Sequence, residues 1–561
     1  MHARVAPWVI GSAFVLGSLA YSMHAASFLH PKAAVFSAGA LVMAALTQWA
    51  SPRYAWQGMV AFAPLWLYLV LGAVRSLAGL SPAPYHTGAA LLMLAPPLLF
   101  VSLARPWLTY GLVRRVVLLG AVSAAALALA QYRGWADWLF PPVPTYTQAM
   151  YSVFGNQDLL GGFLAVGLAV AVQGAVKKDG GAGWFIASIA VLLPAWLLAG
   201  SRTAWLAGVV GIVVGMACTG GIARRRAAWL GLAGVLAIAF IAALAPAATI
   251  ERVTGTFGAG DEGGWFRLWI WDATLRMIAG SPLFGAGLGV FAYEAPRFLG
   301  EAFMDTRWLE HQATELTVYH AHSDPLEALA EMGLLGACLL GWMAWRLRHG
   351  RGEAWGPLTA LLVFSCFNAT VISPPHAVAG LMLASCLMPA SRPTGTGWRK
   401  RPVTAFAGFL AVPVVLSLLI PSFQLRKAQT AHLEGRGAPE HYARIQPYAV
   451  LYPQAQTSRA QWHAEHEEWH AAIAAYERAL GDVDTGRIHL ELGALHHRTG
   501  QRDKARAHLE QAVARWPWNY DAWRLYGALL PEDEQAAALG DAARWLREDE
   551  LAALEEALNS R

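Results

Sequence analysis

Along most of this chain the apolar residues neither alternate nor recur on one helical face; they come in unbroken runs. A helix needs ~20 apolar residues to cross the hydrocarbon core of a bilayer. Runs of about that length predict spans near residues 7–24, 33–50, 57–74, 86–104, 114–131, 159–176, 183–200, 202–219, 227–247, 326–346, 355–372, 374–389 and 403–420. From Gln424 to Arg561 the pattern becomes that of an ordinary soluble sequence. The expected fold is all-α. A polytopic membrane helix bundle of about 12–13 spans fills residues 1–423, and a soluble helical-repeat domain fills residues 424–561.

Composition supports this division. The chain is 56% hydrophobic and only 14% charged, whereas soluble domains carry about 25% charged residues. Its 25 tryptophans suit a chain that crosses many membrane–water interfaces. A formal charge of +5 is small for this length and calls for no nucleic-acid partner. Cys218, Cys338, Cys366 and Cys386 all lie in or beside apolar runs, which excludes a disulfide framework and a cysteine-based zinc site.

The basic residues orient the spans. With the N-terminus inside, the inner loops hold Arg53, Arg105, Arg114, Arg115, Lys177, Lys178, Arg224 to Arg226, Arg346, Arg348, Arg351, Arg392, Arg399, Lys400 and Arg401. The short outer loops carry Arg75 and Arg133 as exceptions. That alternation follows the positive-inside rule. An odd number of spans then sends the C-terminal domain outside, and the first apolar run reads as a membrane helix, not a cleaved signal. Two outer loops are long, at about 132–158 and 248–325. The second contains an amphipathic stretch, Trp265 to Ala279, suited to a membrane surface.

In the C-terminal domain a repeat is visible. Leu492, Gly493, Ala505, Leu509, Ala512 and Pro517 fall at the offsets of a tetratricopeptide helix–turn–helix unit. Trp523, Tyr526 and Gly527 begin another, and Ala472, Tyr476 and Ala479 are left from an earlier one. Such a repeat array offers a groove for a peptide or protein; a plain helical cap over the outer loops is the competing reading.

Polar residues gather at the outer ends of three spans. Ser201 caps the eighth, and Arg202 follows at a helix N-terminus that favours an anion. A guanidinium there is a bidentate phosphate donor, or simply an arginine snorkelling to the interface. Arg267 and Arg276 lie on the amphipathic stretch, where binding of anionic headgroups is the simpler role. Before the tenth span, Asp324 as N-cap, Pro325 and Glu327 form a capping-box-like start. His322 precedes them, either as a base working near neutral pH or as a histidine that only bonds its loop. The sixth span starts after Phe154-Gly155-Asn156-Gln157-Asp158.

Taken in order, several segments carry a family likeness: Phe154-Gly155-Asn156, Ser201 to Trp205, Arg267 with Trp271, Ser281 to Gly289, His320 to Asp324, and Glu331 to Gly336. This set resembles the O-antigen ligase/polymerase superfamily over residues 150–345. The resemblance implies a metal-independent, inverting glycosyltransferase of the outer leaflet, with no cofactor. Its donor would be an undecaprenyl-diphosphate-linked glycan, and its acceptor a glycan, lipid or protein hydroxyl. Carried over by position, Arg202 and Arg267 would grip the diphosphate and His322 would activate the acceptor. Asn156, His320 and Arg276 are further substrate-binding candidates. The usual second asparagine of the first motif is Gln157 or Asp158 here, and His322-Ser323-Asp324 departs from the His-Asn-Asp-like signature. The resemblance places the chain in a bacterial inner membrane with its repeats in the periplasm, ready for a protein partner. A transporter or flippase, or a non-catalytic scaffold, are the alternatives; few ionisable residues fall mid-span and no duplication of spans is visible, which weighs against transport.

Overall fold

The computed structural model describes residues 2–21, 29–50, 52–140, 150–177, 182–218, 262–295, 298–299, 318–350, 352–389, 420–434, 438–445, 454–481 and 484–559. Among these residues every regular element is a helix. The membrane part runs α1 (His2–Leu19), α2 (Leu29–Ala50), α3 (Pro52–Ala61), α4 (Ala63–Leu77), α5 (Pro84–Ala104), α6 (Tyr110–Tyr132), α7 (Gln157–Lys177), α8 (Ala182–Leu198) and α9 (Arg202–Ala217). It continues with α10 (Glu262–Gly280), α11 (Asp324–Leu347), α12 (Trp355–Ser365) and α13 (Pro374–Leu387). Five helices are long and apolar enough to cross a membrane, and six shorter apolar ones accompany them, among the described residues. The span expected at 227–247 lies outside the described residues, as does all but the last residue of that at 403–420.

The centre of the bundle is α7, whose apolar window is 89% buried. Small residues put it there. A Cβ on Gly162 would meet the Phe364 ring of α12 at 2.2 Å, and one on Gly167 would meet Ala121 of α6 at 2.4 Å. On Gly174 it would meet the Phe185 ring of α8 at 2.4 Å. Where lipid is as apolar as leucine, close approach of helices through such residues supplies the packing.

Two predicted spans are corrected by the backbone. The run at 57–74 is not one helix: it breaks at Phe62 into α3 and α4, where Pro64 enters the first turn of α4 without an N–H to continue the ladder. The run at 355–372 is helical only to Ser365, and residues 366–373 form a turn segment before Pro374 opens α13. Hydropathy does not register either break, because both segments stay apolar.

A third break is internal. Within α11, Gly333 takes φ 60° and ψ −156°, so the helix opens at mid-length. Its freed backbone groups are met by the segment 281–289. Ala286 and Gly287 N–H donate to the carbonyls of Ala330 and Glu331 at 2.9 and 2.8 Å, and Leu334 and Leu335 N–H donate to those of Pro282 and Leu283 at 2.9 and 3.1 Å. Backbone polar groups at membrane depth must be satisfied within the protein, and this docking does so. It also demands glycine: a Cβ on Gly333 would sit 2.5 Å from the Leu283 carbonyl carbon, and one on Gly285 2.3 Å from that of Glu331. Arg75, an exception to the charge rule, donates to the Phe284 and Gly285 carbonyls and so belongs to the same docking.

The C-terminal part consists of helical hairpins: Gln454–Glu465 with Trp469–Leu480, then Gly486–Arg498 with Arg502–Arg515, then Tyr520–Leu529 with Glu532–Ala542, closed by Glu548–Asn559. Ala472, Tyr476, Ala479, Leu492, Ala505, Leu509 and Ala512 are all buried. A Cβ on Gly493 would meet Leu509 at 2.5 Å, so the small residue lets the paired helices close.

Candidate active site at the polar end of the bundle

Three helix N-termini meet at one end of the bundle. Asn156 caps α7, its Oδ1 accepting from the Asp158 and Leu159 N–H groups at 2.7 and 3.1 Å. Ser201 caps α9, accepting from Ala204 N–H at 3.4 Å. The two ends touch, since a Cβ on Gly161 would lie 3.2 Å from that of Ser201. In the third, α11, the N-cap position is Ser323 and not Asp324, and no side chain caps it. Asp324 instead points sideways, accepting from the Thr370 N–H at 3.0 Å and from the Thr370 hydroxyl. The expected capping box is corrected accordingly: a carboxylate with several donors in a neighbouring turn serves those donors before its own helix end.

The turn segment 366–373 ties these ends together. Asn368 Nδ2 donates to Thr203 Oγ1 at 2.9 Å, next to Arg202, while Thr370 holds Asp324. The Phe367 ring lies 6.0 Å from the Trp271 ring of α10, and Trp271 Nε1 donates to the Ala321 carbonyl at 3.0 Å. Ile270, Ala273 and Met277 on α10 pack with Phe291, Val318, Ala321 and Ala330 in a small core of their own. Thus α10 lies along the start of α11, and the predicted amphipathic stretch is a docked helix.

Arg267, on α10, pairs with Asp158 of α7 at 3.3 Å, both side chains partly exposed at 21% and 27%. His322 stands in the same electrostatic neighbourhood. Burial lowers its pKa first, the Arg267 charge lowers it further and His320 adds to that, while Asp158 and Glu327 oppose them. Its backbone is left-handed, with φ 49°, a conformation that costs a non-glycine residue energy and clusters at functional sites. Glu327 holds this turn. One carboxylate oxygen faces His320 Nδ1 at 2.9 Å and the other accepts from Ala321 N–H at 2.8 Å. Burial alone would lower the His320 pKa, but the charge and hydrogen bond of Glu327 outweigh it and raise it.

The geometry thus brings Arg267, His320, His322 and the Asn156-capped start of α7 together, with Arg202 at the adjoining end of α9. It does not bring in Arg276. Nine residues on from Arg267, about two and a half turns, it faces the other way and pairs with Asp272 at 2.9 Å, both nearly half exposed. Asp158, Glu327, Asn368 and Thr370 escaped sequence reasoning as members of this cluster. Asn368 and Thr370 had a signal: polar side chains at the end of an apolar run, where a straight span would leave them in lipid.

Residues 186–341 match a protein-family model described as O-Antigen ligase. Over that stretch the chain is similar to the O-antigen ligase family. Within those matched residues fall Arg202, Arg267, His320 and His322, together with the docked 281–289 segment and the opening of α11 at Gly333. Residues 486–529 match a tetratricopeptide repeat, spanning the hairpin Gly486–Arg498 and Arg502–Arg515 and the helix after it. Among curated proteins, the chain is similar to the exopolysaccharide production protein ExoQ of Rhizobium meliloti (strain 1021). It is 26% identical over 236 residues, which are 40% of this chain and 52% of that protein. The chain therefore spans about half the length of the curated relative it matches. With its many apolar helices, the ligase domain makes this a multi-pass bacterial membrane protein.

Proposed function

We propose that the protein is a membrane glycosyltransferase that moves a glycan from an undecaprenyl-diphosphate carrier to an acceptor hydroxyl. The observation that carries this reading is the meeting of Arg267 and His322, both within the residues similar to the O-antigen ligase family, with Asp158 of α7 beside the N-terminus of α9. Helix N-termini and guanidinium groups favour a diphosphate. Arg202 and Arg267 hold it, and the acceptor oxygen attacks the anomeric carbon as His322 Nδ1 or Nε2 takes its proton. The arginines stabilise the charge growing on the departing diphosphate. A single displacement of this kind inverts the anomeric centre. The two guanidinium groups supply the stabilisation that a metal ion gives in other glycosyl transfers, so we propose a metal-independent reaction. In this reading the site faces the periplasm, the side to which the charge pattern of the loops assigns it, and the repeats, on the same side, dock a protein partner or acceptor.

The test is an assay of purified full-length protein with a polyprenyl-diphosphate-linked glycan, offering lipid, glycan and peptide acceptors separately. Transfer to one of them that is lost in His322→Ala, with the variant still inserted, supports the reading; full transfer by His322→Ala removes the histidine from the base role. Arg202→Lys is expected to recover only part of the activity, since an ammonium lacks the planar bidentate fork.

A further inference from the structure

At the point where the site is expected to receive an anionic donor, it carries an anion of its own. Asp158 stands on the first turn of α7 and engages Arg267 at 3.3 Å. A carboxylate on the guanidinium meant for a diphosphate is unfavourable to binding, because the two anions compete for one fork. It is not needed as a helix cap either, since Asn156 already performs that role. Nor is Asp158 walled in: 27% of its side chain is exposed, so it has room to turn. Its charge also acts on His322.

We propose, on the basis of the transferase reading above, that Asp158 is an exchangeable counter-ion. It neutralises Arg267 while the site is empty, gives up the guanidinium to the donor diphosphate, and then faces His322. As the acceptor O–H is lost, the proton goes to His322, the oxygen bonds the anomeric carbon, and the carbon–oxygen bond to the diphosphate breaks with its electron pair leaving on the phosphate oxygen. The positive charge then left on His322 is balanced by the carboxylate, while that of Arg267 is balanced by the product. Asp158 is a positioning residue in this scheme and touches neither reacting atom. The charged groups acting on His322 are Arg267 from α10, Asp158 from α7, and His320 and Glu327 around the start of α11. Two of them change partners together, so the site keeps its charge balance through the reaction.

The exchange predicts opposite effects on binding and on turnover. In the full-length protein, Asp158→Asn is expected to bind inorganic pyrophosphate about fivefold tighter, the competition from a partly exposed ion pair having gone. The same variant is expected to have a lower KM for the lipid-linked donor and a kcat about tenfold lower, its base now weaker. The acid limb of its pH profile moves to lower pH, because the group that raised the His322 pKa is lost. Asp158→Glu, which keeps the charge, restores kcat in large part. A structural role alone would lower binding and turnover together. If Asp158→Asn fails to fold, Asp158→Ser repeats the test. Pyrophosphate affinity and a pH profile that match the wild type overturn the exchange while leaving the transferase reading intact; a wild-type protein that neither binds pyrophosphate nor transfers glycan overturns both.

Discussion

The two ends of α7 sit in the same bundle and differ in how they treat charge. At its C-terminal end, Lys177 pairs directly with Glu353, and Gln173 joins Tyr110 Oη at 3.1 Å and the Glu353 carbonyl at 3.1 Å. Nearby, Arg105 donates to the Pro389 carbonyl at 2.8 Å. Lys177, Glu353 and Arg105 thus each hold a partner across the bundle, as suits anchors at a membrane surface. At its N-terminal end, Asp158, Arg267 and His322 come from three distant parts of the chain, and a histidine is held in a left-handed backbone. One end secures the bundle; the other assembles groups that gain from being close to something not yet bound. Both ends carry charge and both join residues remote in the chain, so it is the titratable histidine on a strained backbone, set among charges, that separates a site from an anchor.

Substitution can break this contrast most severely at the docked segment. Gly285→Val is expected to prevent folding of the polar end. Forcing a side chain into the Glu331 backbone costs on the order of 1–3 kcal/mol by overpacking, and left-handed φ adds a similar strain. Loss of detergent-stable monomer on size-exclusion chromatography would report it. Next come the site residues themselves. Arg267→Ala is expected to reduce transfer by about 10²–10³, whereas Arg276→Ala on the same helix leaves it within about twofold; equal losses would erase the distinction drawn between the two faces of α10.

The pH dependence follows with a smaller effect. His322 must be unprotonated to act as base, and its pKa lies below the usual 6.5 because burial and Arg267 lower it. Transfer is therefore expected to hold as pH falls through 6.5 and to decline only below that, once the lowered pKa is crossed. A rate that halves at or above pH 6.5 would contradict this. The smallest effect belongs to the anchoring end: Lys177→Ala is expected to cost at most ~1 kcal/mol of stability and to leave transfer unchanged, as thermal unfolding and the same assay would register.

Much of this was legible in the sequence. Apolar runs announced most helices, and the cap Ser201 stood where its helix begins. The offsets of Gly493, Ala505 and Leu509 announced a helical hairpin. These features are local, and local sequence encodes them through burial, capping and packing. The rest depends on partners remote in the chain. Nothing around Asp324 indicates that Thr370 will claim its carboxylate, and nothing in Glu331 to Gly336 indicates that α11 will open there to receive residues 282–287. The pairing of Arg267 with Asp158 is equally non-local, and no periodicity reports it.

The opening of α11 at Gly333 has a mechanical meaning. An unbroken helix would lock its N-terminal portion, and the turn before it, to its C-terminal portion like a rod. Opened there, its N-terminal portion is instead indexed to residues 286–287, its C-terminal portion to residues 282–283, and the docked segment, through Arg75, to α4. The histidine turn thus takes its coordinates from a clamp of neighbouring backbone, so its alignment is tunable by substitutions in chain segments that never meet the substrate.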